Sequence, residues 1–201
     1  MMNRRDLLLM GASAMGGVLI GTPTLRAMAG ESPSTTASRA IFSSAQSQMI
    51  SALAEMIIPT TDTPGAIAAG TPAFIEMMAT DWYTDTERKI FLEGLAGLDA
   101  FCRASFGKDF LGASEEQRVA ALTDAEKQAA SYVSPLPGGF LAGMSKLIDE
   151  NTPFFAKIKE LTVIGYYSSE VGAKQEMAYN PMPMRYEGDY DYAKTGRRWS
   201  Y

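Results

Sequence analysis

Short polar pairs three residues apart punctuate this chain, and each marks where a helix can begin. Ser43 with Gln46, Thr84 with Glu87, Ser114 with Gln117 and Thr123 with Glu126 all have the spacing of a capping box. In that arrangement the first side chain accepts from the backbone amide three residues on, and the second accepts from the amide of the first. Behind the boxes, apolar residues recur at helical spacing. Met49, Ile50, Leu53, Met56 and Ile57 make one core-facing stripe, which Pro59 ends. Thr71-Pro72, read as N-cap and first helical residue, opens a short helix through Phe74, Ile75, Met78 and Trp82. Phe91, Leu95, Leu98 and Cys102 share one face of a long helix that stops near Gly107. The boxes at Ser114 and Thr123 predict two shorter helices. Pro135, Pro137, Gly138 and Gly139 interrupt the pattern, which resumes at Phe140, Leu141, Met144, Leu147 and Ile148. Asn151 or Thr152 with Pro153 opens a last helix. There Phe154, Phe155, Ile158, Leu161 and Gly165 lie on one side, and Val163, Ile164, Tyr166 and Tyr167 fill in the rest. A helix apolar all round is buried on all sides, in its own domain or against another chain. No two segments pair convincingly as strands. The expected fold is all-α, a compact domain of six or seven helices over residues 43–172.

Residues 1–29 have a different character. Arg4-Arg5 precede Asp6 and Leu7-Leu8-Leu9-Met10, no charge follows until Arg26, and the stretch closes on Ala27-Met28-Ala29. A positive start, a short apolar core and a small-residue cleavage site (Ala27, Ala29) are the layout of an export signal. The paired arginines are similar to the twin-arginine (Tat) signal, which a receptor reads as an address. Gly11, Gly16, Gly17 and Gly21 dilute the core, whereas a membrane anchor needs about 20 predominantly apolar residues. An uncleaved anchor is the competing reading. The expectation is delivery of an already folded protein to the periplasm by the Tat translocase. Residues 30–42, rich in Ser, Thr, Pro and Ala, read as a flexible leader ahead of the domain.

Composition excludes several chemistries. The chain has no His and one Cys, so it offers no haem attachment motif, no common Cys/His zinc site and no Ser-His-Asp or Cys-His pair. No GxGxxG opens a strand–helix unit, which removes a Rossmann dinucleotide site. The net charge is −5, and the leader holds three of the arginines, so nucleic acid is not an expected partner. Cys102, on an apolar stripe, reads as a buried and inert thiol. Asp62 reads as a turn former and not as a metal ligand, with no second ligand nearby. Folded-cargo export without a visible cofactor site suggests that the cofactor belongs to a partner exported with this chain.

After Gly172 the pattern changes again. Residues 173–201 hold Tyr179, Tyr186, Tyr190, Tyr192, Trp199 and Tyr201 among Pro181, Pro183, Gly188 and Gly196, with Arg185, Arg197 and Arg198. This predicts an irregular, extended, aromatic-rich tail. Tyr, Trp and Arg are the types enriched at protein interfaces. Wrapping of its own domain and a sugar-binding platform are the other readings.

Two stretches carry a resemblance. Gly165-Tyr166-Tyr167-Ser168-Ser169-Glu170-Val171-Gly172-Ala173, followed by Tyr179-Asn180-Pro181-Met182-Pro183 and Arg185-Tyr186-Glu187-Gly188, resembles a signature of the gluconate 2-dehydrogenase subunit 3 family. The earlier block Ile57-Ile58-Pro59-Thr60-Thr61-Asp62-Thr63-Pro64-Gly65-Ala66 is similar to a second recurrent segment of that family. The resemblance implies a non-catalytic small subunit of a sugar or polyol dehydrogenase complex, on the plan of fructose dehydrogenases and glucoside 3-dehydrogenases. It implies a catalytic large subunit of the glucose–methanol–choline type that holds FAD, and in some complexes a c-type cytochrome with haem c. It implies that the small subunit supplies the Tat signal for both chains, and that membrane association comes through the partners. It supplies no catalytic, cofactor or metal residues to place here. Tyr166, Tyr167, Glu170, Tyr179, Pro181, Arg185 and Tyr186 are the expected contacts with the partner. Two alternatives stand beside this reading. One is a stand-alone hydrolase using Glu115-Glu116 or Asp189 with Asp191, and the other is a periplasmic sugar-binding protein.

Overall fold

The computed structural model of the chain describes residues 41–135, 149–182, 184 and 187–200. Arg4, Arg5, Ala27 and Ala29 of the leader lie outside the described residues, as do the stripe from Phe140 to Ile148, Arg185 and Tyr186. The described chain is all-α. Its helices are α1 (Ser44–Ile57), α2 (Thr71–Asp81), α3 (Asp85–Phe106), α4 (Glu115–Ala130) and α5 (Phe154–Ser168). A π-helical turn follows at Gly172–Glu176, then β1 (Ala178–Tyr179), the one-turn α6 (Tyr192–Thr195) and β2 (Trp199–Ser200). No helix among the described residues is long and apolar enough to cross a membrane.

Local chemistry accounts for most of these boundaries. Ser43, Thr84 and Ser114 each cap their helix with the full reciprocal box, which satisfies amides that the first turn leaves without partners. Gly107 ends α3 in the left-handed conformation, φ 69°, which costs glycine no Cβ clash. Thr123 behaves differently from its expected role. It lies inside one continuous α4, because no Gly or Pro interrupts residues 115–130 and Leu122 and Ala125 pack on the core through that point. Thr71 is also not a cap. The N-cap of α2 is Gly70 at φ 73°, and Thr71 begins the helix fully buried, its hydroxyl without a hydrogen-bond partner. Pro153, not Asn151 or Thr152, is the N-cap of α5, and the Thr152 hydroxyl donates instead to Asp149 O at 2.8 Å. Trp82 falls just beyond α2 and is 73% exposed.

The apolar stripes converge on α5, which touches all four preceding helices and the π-helical turn. Ile50 and Leu53 of α1, Ile75 of α2, Phe91 and Leu95 of α3, and Ile158 of α5 are sealed from solvent. Phe91 is the aromatic node, meeting Phe42, Tyr83 and Phe154 edge-on at 5.9, 6.0 and 5.3 Å. Gly94 lets α5 come that close, because a Cβ there would sit 2.0 Å from the Phe154 ring. Cys102 is buried in the same core, and burial, followed by the Asp99 carboxylate, raises its thiol above the ordinary range.

One buried ion pair fixes the register of α5 on α3. Lys157 Nζ donates to Glu87 Oε1 at 3.0 Å and lies 5.2 Å from the centre of the Tyr83 ring. The other Glu87 oxygen accepts the Thr84 amide of the capping box, so one carboxylate serves a local cap and a contact 70 residues away. Removing one member of such a pair leaves an uncompensated buried charge, at a cost of about 3–5 kcal/mol. Burial, then Glu87 and Glu160, pushes the Tyr83 hydroxyl well above its usual range.

The domain itself does not bury α5 on all sides: of the two expected coverings, its own domain or another chain, the first leaves one flank open. Val163, Ile164 and Tyr167 are exposed within a single turn.

Candidate interaction site

The loop that follows α1 is built around a carboxylate that the sequence reading passed over. Glu55, one turn before the end of α1, accepts the Thr60 amide (3.0 Å), the Thr60 hydroxyl (2.7 Å) and the Ile67 amide (2.9 Å). Thr60 Oγ1 in turn accepts the Gly65 amide at 3.0 Å, and Ala66 N closes the loop onto Ile58 O at 2.9 Å. Only glycine fits at residue 65, since a Cβ would sit 2.3 Å from the Glu55 carboxylate and 2.6 Å from Thr60. Burial alone would raise the Glu55 carboxyl, but the hydrogen bonds from Ile67 and Thr60 outweigh it and hold the group below its ordinary value. Asp62, at the outer edge of this loop, is exposed and accepts the Thr61 hydroxyl at 3.0 Å, a side-chain contact and not the side-chain-to-backbone bond of the expected turn former.

The C-terminal end of α5 is joined to that loop. The Tyr166 hydroxyl donates to Pro64 O at 2.7 Å, and the Thr63 hydroxyl donates to Glu176 Oε2 at 2.8 Å. The two recurrent segments, about a hundred residues apart in the chain, thus form one structural unit. Ser169 turns the backbone out of α5: its hydroxyl donates to Tyr166 O at 2.6 Å and accepts the Gly172 amide at 3.0 Å. From the π-helical turn the chain enters β1, which pairs in parallel with β2, Ala178 opposite Trp199 and Tyr179 opposite Ser200. Ala178 N donates to Arg198 O (2.8 Å), Asn180 N to Ser200 O (2.7 Å), and Arg197 Nη1 to Gln175 O (2.7 Å). The region after Gly172 is therefore not simply extended. A parallel pair only two residues long shows no alternation that a sequence could reveal.

The expected contact residues divide sharply. For Tyr166 the structure gives a different role: it is 1% exposed, and its ring is a strut of the core whose hydroxyl holds the Pro-Gly loop. Burial raises that hydroxyl above its usual range, the Thr63 side chain opposes the rise, and the Glu176 carboxylate adds to it. Tyr167, 43% exposed, stands edge-on to Tyr166 with ring centres 5.2 Å apart, and its outer side faces solvent. Glu170 is exposed and bonded to Lys174 Nζ at 2.6 Å, and Lys174 lies 5.8 Å from the Tyr179 ring centre. Tyr179 is 48% exposed, and Pro181 is exposed. Tyr190 and Trp199 meet edge-on at 6.3 Å, each still partly open to solvent. Val163 and Ile164, expected to be covered by this domain or by another chain, join Tyr167 on the open flank. Met182 and Met184 are more exposed still, and Met184 adopts a left-handed backbone (φ 51°) that is uncommon for a residue with a Cβ.

The carboxylate pairs behind the hydrolase alternative have other occupations. Glu115 and Glu116 are exposed in the first turn of α4. The backbone amide of Glu116 and the Ser114 hydroxyl lower the Glu116 carboxyl, the opposite of what a general acid needs. Asp191 caps α6 by accepting the Ala193 amide at 3.0 Å. Among the described residues, no group of three or more His, Cys, Asp or Glu is placed to hold a metal ion.

Residues 44–184 match the family model described as gluconate 2-dehydrogenase subunit 3. Comparison with curated proteins and with solved structures returns no match. The family match takes in the Pro-Gly loop, α5, β1 and the exposed Met182 and Met184. The chain belongs to the gluconate 2-dehydrogenase subunit 3 family.

Proposed function

We propose, from that membership, that this chain is the non-catalytic small subunit of an exported flavin-dependent dehydrogenase acting on a sugar or polyol hydroxyl. The family match over residues 44–184 is the observation that carries the reading, since it makes the chain an accessory subunit of a dehydrogenase complex. FAD resides in the catalytic large subunit, of the glucose–methanol–choline type, where it takes up the hydride from the substrate carbon. A c-type cytochrome carrying haem c is the further subunit that passes the electrons on. This chain supplies the address and the support: Arg4 and Arg5 engage the Tat translocase, and the helical domain stabilises the flavoprotein during and after export to the periplasm. The exposed side chains Val163, Ile164, Tyr167, Glu170, Tyr179 and Pro181 are the docking residues among the described ones. Their chemistry supports that role, because large aromatic side chains are among the groups that carry interface energy.

The test is reconstitution. Purified alone, the chain should show no flavin absorbance and no dehydrogenase activity. Expressed with a catalytic flavoprotein subunit, it should copurify in fixed stoichiometry, and activity should appear. Stoichiometric flavin on the isolated chain, or full activity and stability of the flavoprotein without it, would refute the assignment.

A further inference from the structure

Two arms of the chain, at Ala178–Tyr179 and Trp199–Ser200, meet beside the π-helical turn, and that turn is tied to the Pro-Gly loop. Three sets of bonds build this arrangement in series. Thr63 Oγ1 to Glu176 Oε2 (2.8 Å) fixes the π-helical turn to the loop after α1. Arg197 Nη1 to Gln175 O (2.7 Å) fixes the returning arm to the same turn. Ala178 N to Arg198 O and Asn180 N to Ser200 O (2.8 and 2.7 Å) then close the two arms on each other. Beneath them Gly172 is pressed so close to the Tyr166 carbonyl that a Cβ would approach it to 2.2 Å, and Tyr166 is itself bonded to Pro64. Two strand residues on each arm are too few to hold an isolated pair together in water. The seat below them must supply the remainder.

We infer that Thr63, through Glu176, is a positioning residue: it holds the arms at Ala178–Tyr179 and Trp199–Ser200 in the arrangement that the catalytic subunit binds, so the Pro-Gly loop acts in partner recognition through them. The inference rests on the docking assignment made above. Its physical content is pre-organisation, because a loop already ordered in the free chain loses less conformational entropy on binding. Thr63 is suited to this task. Its hydroxyl donates to a carboxylate, the stronger kind of hydrogen bond, and it does so across a gap of 113 residues. Thr63 is half-buried at a loop and outside the apolar core; its side chain also meets the Tyr166 hydroxyl, so the amides of α5 serve as the control for effects beyond the seat.

The experiment compares T63V and T63S with the unmodified full chain. Hydrogen exchange on the chain alone reads the Ala178 and Asn180 amides, and binding to the catalytic subunit is measured in parallel. T63V keeps the shape of threonine but cannot donate. It should speed exchange at these two amides, leave the amides of α1, α3 and α5 protected, and weaken binding about tenfold. T63S retains the hydroxyl and should restore both protection and affinity. Unchanged exchange at Ala178 and Asn180 in T63V overturns the seat, whatever the affinity does. Faster exchange with undiminished binding overturns the docking role while leaving the seat in place, which separates failure of this inference from failure of the assignment beneath it.

Discussion

Glu55 shows how much one side chain can organise. Its carboxylate accepts two backbone amides and a hydroxyl, and these bonds keep it ionised below the usual glutamate value near 4.5. A group whose pKa is depressed by folding contributes stability above the unfolded-state pKa, and that contribution is lost as pH falls through the lower, folded value. E55Q should therefore lower stability by about 1–2 kcal/mol at neutral pH, since one amide oxygen replaces two charged acceptors and the amide NH2 confronts donors. The gap between variant and parent should shrink on acidification below about pH 4.5 as the parent protonates. Urea denaturation across that range measures it; a gap that is constant with pH would mean the carboxylate is not held ionised by folding. Glu55 escaped notice in the sequence because its partners lie 5 and 12 residues on, beyond the spacing of any helical motif. The pairing of Lys157 with Glu87, which the sequence shows only in its capping box, escaped for the same reason on a larger scale. A lysine among apolar residues reads as a solvated break in a stripe, and only the fold brings a carboxylate to it.

At the scale of elements, what the sequence disclosed and what it hid follow the range of the interaction involved. Three of the capping boxes are present as read, because the box is complete within four residues. The stripe on α3 is likewise buried at each of its residues. The Thr123 box failed because the same residue types are compatible with a helix interior, and only flanking Gly or Pro would have forced a start. Thr71 failed because Gly70, which can adopt a left-handed conformation, took the cap one residue earlier. The β1–β2 pair and the open flank of α5 depend on which neighbours arrive, and no local pattern encodes that. These elements permit a division that truncation can test. Ending the chain at Asn180 removes α6, β2 and the Arg197 bond, yet the buried apolar residues all precede it. Circular dichroism should show the helices intact, and copurification with the flavoprotein should be lost. Each true anchor removed costs at least about 2 kcal/mol, roughly a thirtyfold fall in affinity. Loss of helicity would make the C-terminal loop part of the fold, and undisturbed pairing would move the interface elsewhere.

For the whole molecule, the export reading makes the paired guanidinium groups at Arg4 and Arg5 the decisive feature, recognised as a planar pair and not as bare charge. Replacing both with Lys should leave this chain and its flavoprotein together in the cytoplasm, as cell fractionation would show. Periplasmic flavoprotein under that change would sink the shared route. The position of α5 in the chain adds a constraint of timing. Among the described residues, the four earlier helices all pack against it, and it is the last long helix to be synthesised. Until Phe154 to Tyr166 leave the ribosome, the faces of α1, α2 and α3 that pack on α5 are without it. At roughly 5–20 residues per second, that leaves several seconds between the emergence of the first residues and the completion of the core. A transporter that accepts only finished proteins would have to wait out this interval. Among the described helices, the one that closes the core is thus also the long one made last.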